Sequence, residues 1–227
     1  MLPYEFRSSS NRPVFLLLGA HSDDIEIGCG GTLLKLAQRY REARFVWVTL
    51  SADEEREAET RAALRRFLHG SSDVEVQIGR FRGSYFPDQY AKLKDFFETL
   101  KRFGPDVILT HCRDDLHQDH RIVNELTWNT FRNHAVLEYE IPKFDGDLGR
   151  PNAYVPLSRA QVEAKSLVLM ECFASQRSRS WFTAETFQAL ARLRGIECNA
   201  SEGFAEAFHA RKLCIDFLKD TPQANGS

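Results

Sequence analysis

Three features of the 227-residue chain predict an α/β fold, a Rossmann-like, doubly wound and mainly parallel sheet with helices on both faces. Short, nearly continuous apolar runs recur at residues 14–18, 45–50, 74–78 and 107–110, as expected of strands covered on both sides. Longer stretches at 31–40, 54–68 and 90–103 carry apolar residues at helical spacing. The two kinds of segment alternate, which is the pattern of successive right-handed βαβ units.

The first strand reads Val14-Phe15-Leu16-Leu17-Leu18 and the second Phe45-Val46-Trp47-Val48-Thr49-Leu50, both rich in residues that suit a pleated surface. The helix that follows the second strand opens with Glu54-Glu55-Arg56-Glu57, an acid-rich first turn that complements the helix dipole. Beyond the fourth strand the sequence predicts a helix from about Gln118 and a strand at 136–141. A loop follows, with Asp145-Gly146-Asp147 between Pro142 and Pro151, and then helices at about 158–171 and 183–194. No Pro/Gly/Ser-rich linker or internal repeat divides residues 1–220, which read as one domain, with 221–227 as a loose tail.

Composition narrows the function. Thirty Lys plus Arg stand against 32 Asp plus Glu, a formal charge of −2, so the basic excess of a nucleic-acid-binding protein is missing. Five scattered cysteines without a CxxC pair argue against both a disulfide framework and a thiolate zinc site, and a reducing cytoplasm is the expected setting. The first residues, MLPYEFRSSSNRP, lack an apolar signal core. No transmembrane segment is expected either, since the run at 14–18 is far short of the roughly 20 apolar residues that span a bilayer.

Two clusters carry the chemistry. The first strand leads into Gly19-Ala20-His21-Ser22-Asp23-Asp24-Ile25-Glu26, and the fourth ends at Thr110-His111, shortly before Asp114-Asp115-Leu116-His117-Gln118-Asp119-His120. With a strand order of 3-2-1-4-5, the first and fourth strands are neighbours at the topological switch point, and both clusters meet in one crevice. Carboxylates crowded there repel one another unless a cation is present. Imidazole with carboxylate suits Zn²⁺ or a similar divalent ion, and an open fourth position would bring the pKa of a coordinated water toward about 7.

The run Ala20-His21-Ser22-Asp23-Asp24, the turn Gly28-Cys29-Gly30-Gly31-Thr32 and the motif Asp115-Leu116-His117-Gln118-Asp119-His120 together resemble the zinc-dependent N-acetylglucosaminylphosphatidylinositol deacetylase (PIG-L, LmbE-like) family. Arg56 with Glu59, and Ser175-Gln176 following Lys165, are similar to its pattern as well. The resemblance implies an enzyme that removes the N-acetyl group of a small-molecule amino-sugar substrate, with one Zn²⁺ per chain or another divalent ion in its place. It assigns His21, Asp24 and His120 to the metal and Asp23 to the general base. A protonated His117 would stabilise the oxyanion and help protonate the leaving amine, Asp119 would orient the His117 ring, and Arg56 would contact substrate. The carrier of the sugar (lipid, nucleotide or glycan) and the oligomeric state stay open. Two positions depart from the family: Ser22 stands where a proline is usual, which would loosen the turn, and Phe173 stands where many members have histidine.

Plainer readings stand beside these. Asp23 and Asp24 taken alone would serve equally as helix caps. Gly28, Gly30 and Gly31 lack both the G-x-G-x-x-G spacing and a P-loop lysine, so close helix-to-sheet packing is favoured over a phosphate cradle. His111 reads as a structural or pocket-lining residue, His69, His134 and His209 as solvated or structural, Asp114 as loop surface and Asp115 as support for the site. Rival functions are hydrolysis of another acyl amide, such as a thiol conjugate or glycopeptide, a two-metal phosphoesterase, and a non-catalytic module for a nucleotide or sugar phosphate.

Overall fold

Five parallel strands form one contiguous part of the sheet: β1 (Val14–His21), β2 (Arg44–Ser51), β3 (Asp73–Ile78), β4 (Val107–His111) and β5 (Ala135–Tyr139). This computed structural model describes Phe6 and residues 12–214; the expected tail at 221–227 lies outside the described residues. The five strands stand in the order 3-2-1-4-5. Two further strands, β6 (Ala153–Leu157) and β7 (Phe204–His209), extend the β5 edge to seven strands, with β7 antiparallel to both β5 and β6. The sequence reading did not anticipate these two. Pro156 within β6 removes a ladder donor, which an edge strand tolerates, and β7 alternates alanines with Glu206 where an apolar run would be looked for.

The helices are α1 (Asp24–Arg39), α2 (Glu54–Phe67), α3 (Tyr90–Leu100), α4 (Gln118–Thr130), α5 (Arg159–Cys172) and α6 (Ala184–Glu197). The period-two alternation of strand side chains decides which helices go where. Phe15, Leu17, Phe45 and Trp47 point to one face and pack with Leu33 of α1, Phe67 of α2 and Leu169 of α5. Leu16, Leu18, Val46 and Val48 point to the other and pack with Leu93 and Phe97 of α3 and Val123 and Leu126 of α4. A one-residue slip of β1 would exchange these sets, so burial on both faces fixes its register.

Helix α1 starts at Asp24, earlier than residue 31 where helical spacing becomes visible, and breaks at Cys29 (φ −144°, ψ 18°). The break leaves backbone donors without helical partners, and Glu206 of β7 takes two of them, Gly31 N at 2.8 Å and Thr32 N at 2.6 Å. Lys165 of α5 lies 2.7 Å from the same carboxylate and also donates to the Ile27 carbonyl on the near side of the break. The glycines around the break are there for closeness. A Cβ at Gly28 would stand 2.2 Å from the Tyr139 ring, and one at Gly31 would stand 2.4 Å from Leu157 Cδ1.

The Lys165–Glu206 pair therefore splints the helix that carries Asp24. Lys165→Met should destabilise the chain by about 3–5 kcal/mol in denaturant unfolding, because it leaves a buried carboxylate without its counter-charge. The double variant Lys165→Met/Glu206→Gln should lose clearly less than the sum of the single losses. Additive losses would show that the two side chains act separately.

Candidate metal centre and active site

The site sits at the carboxyl ends of β1 and β4. His21 is the last residue of β1, Asp24 the first of α1, and His117, Asp119 and His120 lie at the start of α4. Asp23 makes the turn between strand and helix with φ 94° and ψ −23°, a left-handed conformation uncommon outside glycine. Adjacent carboxylates are thereby sent in different directions.

Asp24 turns toward imidazoles. His120 Nε2 lies 3.3 Å from His21 Nδ1 and 3.5 Å from Asp24 Oδ1, and His21 Nδ1 lies 3.5 Å from Asp24 Oδ2. Metal–ligand bonds of about 2.0–2.2 Å at tetrahedral angles place ligand atoms roughly 3.3–3.5 Å apart; the two imidazole nitrogens stand at that separation, and Asp24 meets them with different oxygens, Oδ1 toward His120 and Oδ2 toward His21. The remaining ring nitrogens are each held by a carboxylate, His21 Nε2 by Asp119 Oδ2 at 2.9 Å and His120 Nδ1 by Asp115 Oδ2 at 2.9 Å. That arrangement fixes tautomer and ring orientation in metal-binding histidines. Two overlapping groups bring ligand atoms within 4.8 Å of one another, His21 with His117 and His120, and Asp24 with His111 and His120. His111 is fully buried; its Nε2 accepts the Ala20 amide at 3.0 Å and lies 3.2 Å from Asp24 Oδ2, so the ring lines the site beside Asp24.

Asp23 turns the other way. Its Oδ1 accepts from the Arg56 guanidinium of α2 at 2.8 Å, and Arg56 also donates to the Ser22 carbonyl. Burial is the main influence on Asp23 and, with Arg56 opposing it, raises the carboxyl to about 7. Arg56, expected as a substrate contact, thus lies on Asp23, with its side chain 22% exposed. Ser22 does not loosen the turn as its departure from the family suggested: its hydroxyl bonds the Arg56 carbonyl at 2.8 Å and pairs with Thr60 Oγ1 at 2.5 Å. Phe173 is wholly buried in the core against Phe182.

Two expectations about α4 differ from the structure. The Asp119 carboxylate holds His21 and accepts the amides of Ser84 and Phe86, at 2.6 and 3.1 Å, and does not orient the His117 ring. The first helical turn aims its side chain back toward β1. His117 instead caps α4, its Nδ1 accepting the Asp119 amide at 3.2 Å, which assigns the ring proton of neutral His117 to Nε2. Burial, followed by the proximity of His21, lowers the His117 pKa below its ordinary value, so the neutral ring is the resting form rather than the expected imidazolium.

Sequence reasoning singled out Glu59 and Ser175-Gln176 without their pairing, and missed Gly83 and Glu26 as supporting groups. Glu59 accepts both the amide and the hydroxyl of Ser175, at 2.9 and 2.6 Å, which explains the paired Glu and Ser-Gln signals as one clamp between α2 and the loop after α5. Gly83 lies against His21, where an added Cβ would come within 3.6 Å of the ring. Glu26 is buried beside the site, its Oε1 has no hydrogen-bond partner among the described residues, and burial pushes its pKa well up. Only its place in the strand-to-helix run could have drawn notice to it.

His21 makes metal uptake pH-dependent. Burial opposes protonation, but Asp119 and Asp24 outweigh it and raise the ring from 6.5 to about 9 in the metal-free chain. The raised value stabilises the metal-free fold fully below pH 6.5 and is lost as pH rises through about 9. A cation must displace that proton, so affinity should increase about tenfold per pH unit across this window, with roughly one proton released per ion. Calorimetry at pH 7 in buffers of different ionisation heat measures the release; no proton released would place the cation elsewhere.

Residues 16–131, from β1 to the end of α4, match the model of the GlcNAc-PI de-N-acetylase (PIG-L) family, a span that includes His21, Asp23, Asp24, Arg56, His117, Asp119 and His120. The chain is 28% identical over 144 residues to the uncharacterized deacetylase YaiS of Escherichia coli strain K12, an alignment covering 60% of this chain and 77% of YaiS. Its fold is similar to that of GalB, the 4-carboxy-2-hydroxymuconate hydratase of Pseudomonas putida KT2440, with a TM-score of 0.70, 17% identity, and coverage of 90% of this chain and 98% of GalB. It is also similar to N,N'-diacetylchitobiose deacetylase from Pyrococcus horikoshii, with a TM-score of 0.63, 18% identity, and coverage of 86% of this chain and 82% of that enzyme. At such identities the two structures speak to the fold, whereas the family match spans both motifs: the chain belongs to the GlcNAc-PI de-N-acetylase (PIG-L, LmbE-like) family.

Proposed function

We propose that the chain is a zinc-dependent N-deacetylase that hydrolyses the acetamide of an amino sugar. The observation that carries this reading is the division of labour between adjacent carboxylates: Asp24 completes a set of cation ligands with His21 and His120, while Asp23 is held on Arg56 with a pKa raised to about 7. A divalent cation in this set, zinc in the first instance, supplies Lewis-acid activation of water and of the acyl carbonyl. Asp23 takes the proton of the attacking water as its oxygen bonds to the acetyl carbon. Its raised pKa suits a base that must later return a proton near neutrality. His117 donates its Nε2 proton in a hydrogen bond to the oxygen that becomes negative. When the carbon–nitrogen bond breaks, the proton held by Asp23 goes to the leaving nitrogen, and the products are acetate and a free amine.

Arg56 then acts through Asp23, setting its direction and tempering its basicity. The hydratase fold neighbour shows that the architecture does not dictate the bond that is attacked; the family match favours an amide. The sugar's carrier is not encoded in these residues, and other acyl amides are the nearest alternative. No helix among the described residues is long and apolar enough to cross a membrane. A reducing cytoplasmic setting accords with the scattered cysteines.

Asp23→Asn should keep the metal but lower acetate release from N-acetylglucosaminides by roughly 10² or more, the usual contribution of a positioned base. Asp24→Asn should lose both metal and activity. Metal content measured beside acetate release distinguishes them, and metal loss confined to Asp23→Asn would exchange the two roles. Release of a larger acid in place of acetate would move the substrate to another amide.

A further inference from the structure

The connection between β5 and β6 lies outside the residues matched to the family, yet it reaches the metal motif. Lys143, with a side chain only 9% exposed, sits among three carboxylates: Asp115 Oδ1 at 3.1 Å, Asp145 Oδ2 at 3.6 Å, and Asp147 closest of all. Asp147 Oδ2 also accepts the Leu116 amide at 2.7 Å. Asp115 divides its oxygens, Oδ1 taking Lys143 and the His117 amide (2.8 Å), Oδ2 facing His120 Nδ1 at 2.9 Å. Residues 115–117, at the end of the β4–α4 connection, are therefore fastened to this loop twice, by the Lys143 ammonium on Asp115 and by the Asp147 carboxylate on the Leu116 amide.

We propose that Lys143 is a positioning residue of the metal centre: by fixing Asp115 it sets the orientation of the His120 ring and of the His117 turn, so that the β5–β6 loop governs metal affinity. The proposal rests on the reading that His120 holds the cation. Without Lys143, Asp115 would keep the His117 amide and the His120 ring, contacts that still let the carboxylate rock about its terminal torsion. Gripped by the ammonium as well, it cannot, and it presents Oδ2 to His120 in a fixed direction. Without the ammonium, Asp115 and Asp147 would lose the charge between them, and their repulsion would open the turn at Leu116. Burial keeps this interaction from being screened in the manner of a surface ion pair.

The sign of the effect makes the role testable. On charge alone, removing a lysine near a cation site should tighten cation binding. Positioning requires the reverse. Zn²⁺ affinity of the metal-free full chain, measured by chelator competition, should weaken about 10- to 100-fold in Lys143→Met, the range typical of groups that orient metal ligands. Lys143→Arg, which keeps a buried donor and its charge, should recover most of that loss. Asp147→Asn, which slackens the anchor of Lys143 and leaves Asp115 intact, should weaken affinity in the same direction by a smaller factor. Folded Lys143→Met with unchanged or tighter Zn²⁺ binding overturns the proposal; if that variant does not fold, unchanged affinity in Asp147→Asn does so. A parent chain that binds Zn²⁺ but releases no acetate sinks the deacetylase reading and leaves this comparison standing, whereas a parent chain that binds no Zn²⁺ overturns both.

Discussion

Two neighbouring carboxylates must face opposite ways, and the left-handed turn at Asp23 is the constraint that lets them. A non-glycine residue held there costs of order 1–3 kcal/mol and persists only where its surroundings over-determine it. Here the surroundings are α2: Arg56 grips both the Asp23 carboxylate and the Ser22 carbonyl, and the Ser22 hydroxyl reaches Arg56 and Thr60 in return. Helix α2 contributes no cation ligand, yet the site depends on it. The same turn starts α1 close against the sheet, which is why Gly28 and Gly31 have no room for a side chain.

Charge is balanced inside the site by pairing. Each of the two proposed metal-binding histidines has one nitrogen on a carboxylate, Asp119 for His21 and Asp115 for His120, and presents the other toward Asp24. Asp119 is itself held by the amides of Ser84 and Phe86, so the loop after β3 supports the centre from one side, while the β5–β6 loop supports it from the other through Lys143. Neutral His117, capping α4 through Nδ1, carries its ring proton on Nε2. On the proposed reading, cation binding, proton acceptance and hydrogen-bond donation fall on different residues of one cluster.

Much of this was legible in the sequence, for identifiable reasons. Strands buried on both faces advertise themselves as apolar runs, and their alternation with helices pointed to a doubly wound sheet; the usual order of such sheets, 3-2-1-4-5, is the one found, and it brings the His21 and His120 motifs together. What escaped notice depends on direction rather than spacing. That the Asp119 carboxylate serves His21, while only its amide reaches the His117 ring, follows from the orientation of the first turn of α4, which no spacing in the motif encodes. The strands β6 and β7 are short and carry proline, alanine and a buried glutamate that answers to a break in α1 far away in sequence. Ser22, read as a loosened turn, is compensated by hydrogen bonds to a helix whose packing the sequence did not disclose. Lys143 belongs to no motif.

The central claim is that one cation, seated by His21, Asp24 and His120, makes this chain a deacetylase. Stepwise return of Zn²⁺ to metal-free chain, with acetate release from an N-acetylglucosaminide followed at each step, tests it most directly. The account predicts that activity climbs in proportion to bound metal and reaches its plateau at about one ion per chain, as a single catalytic site requires. Acetate release that is independent of metal, or that begins only after a second ion has bound, would contradict it.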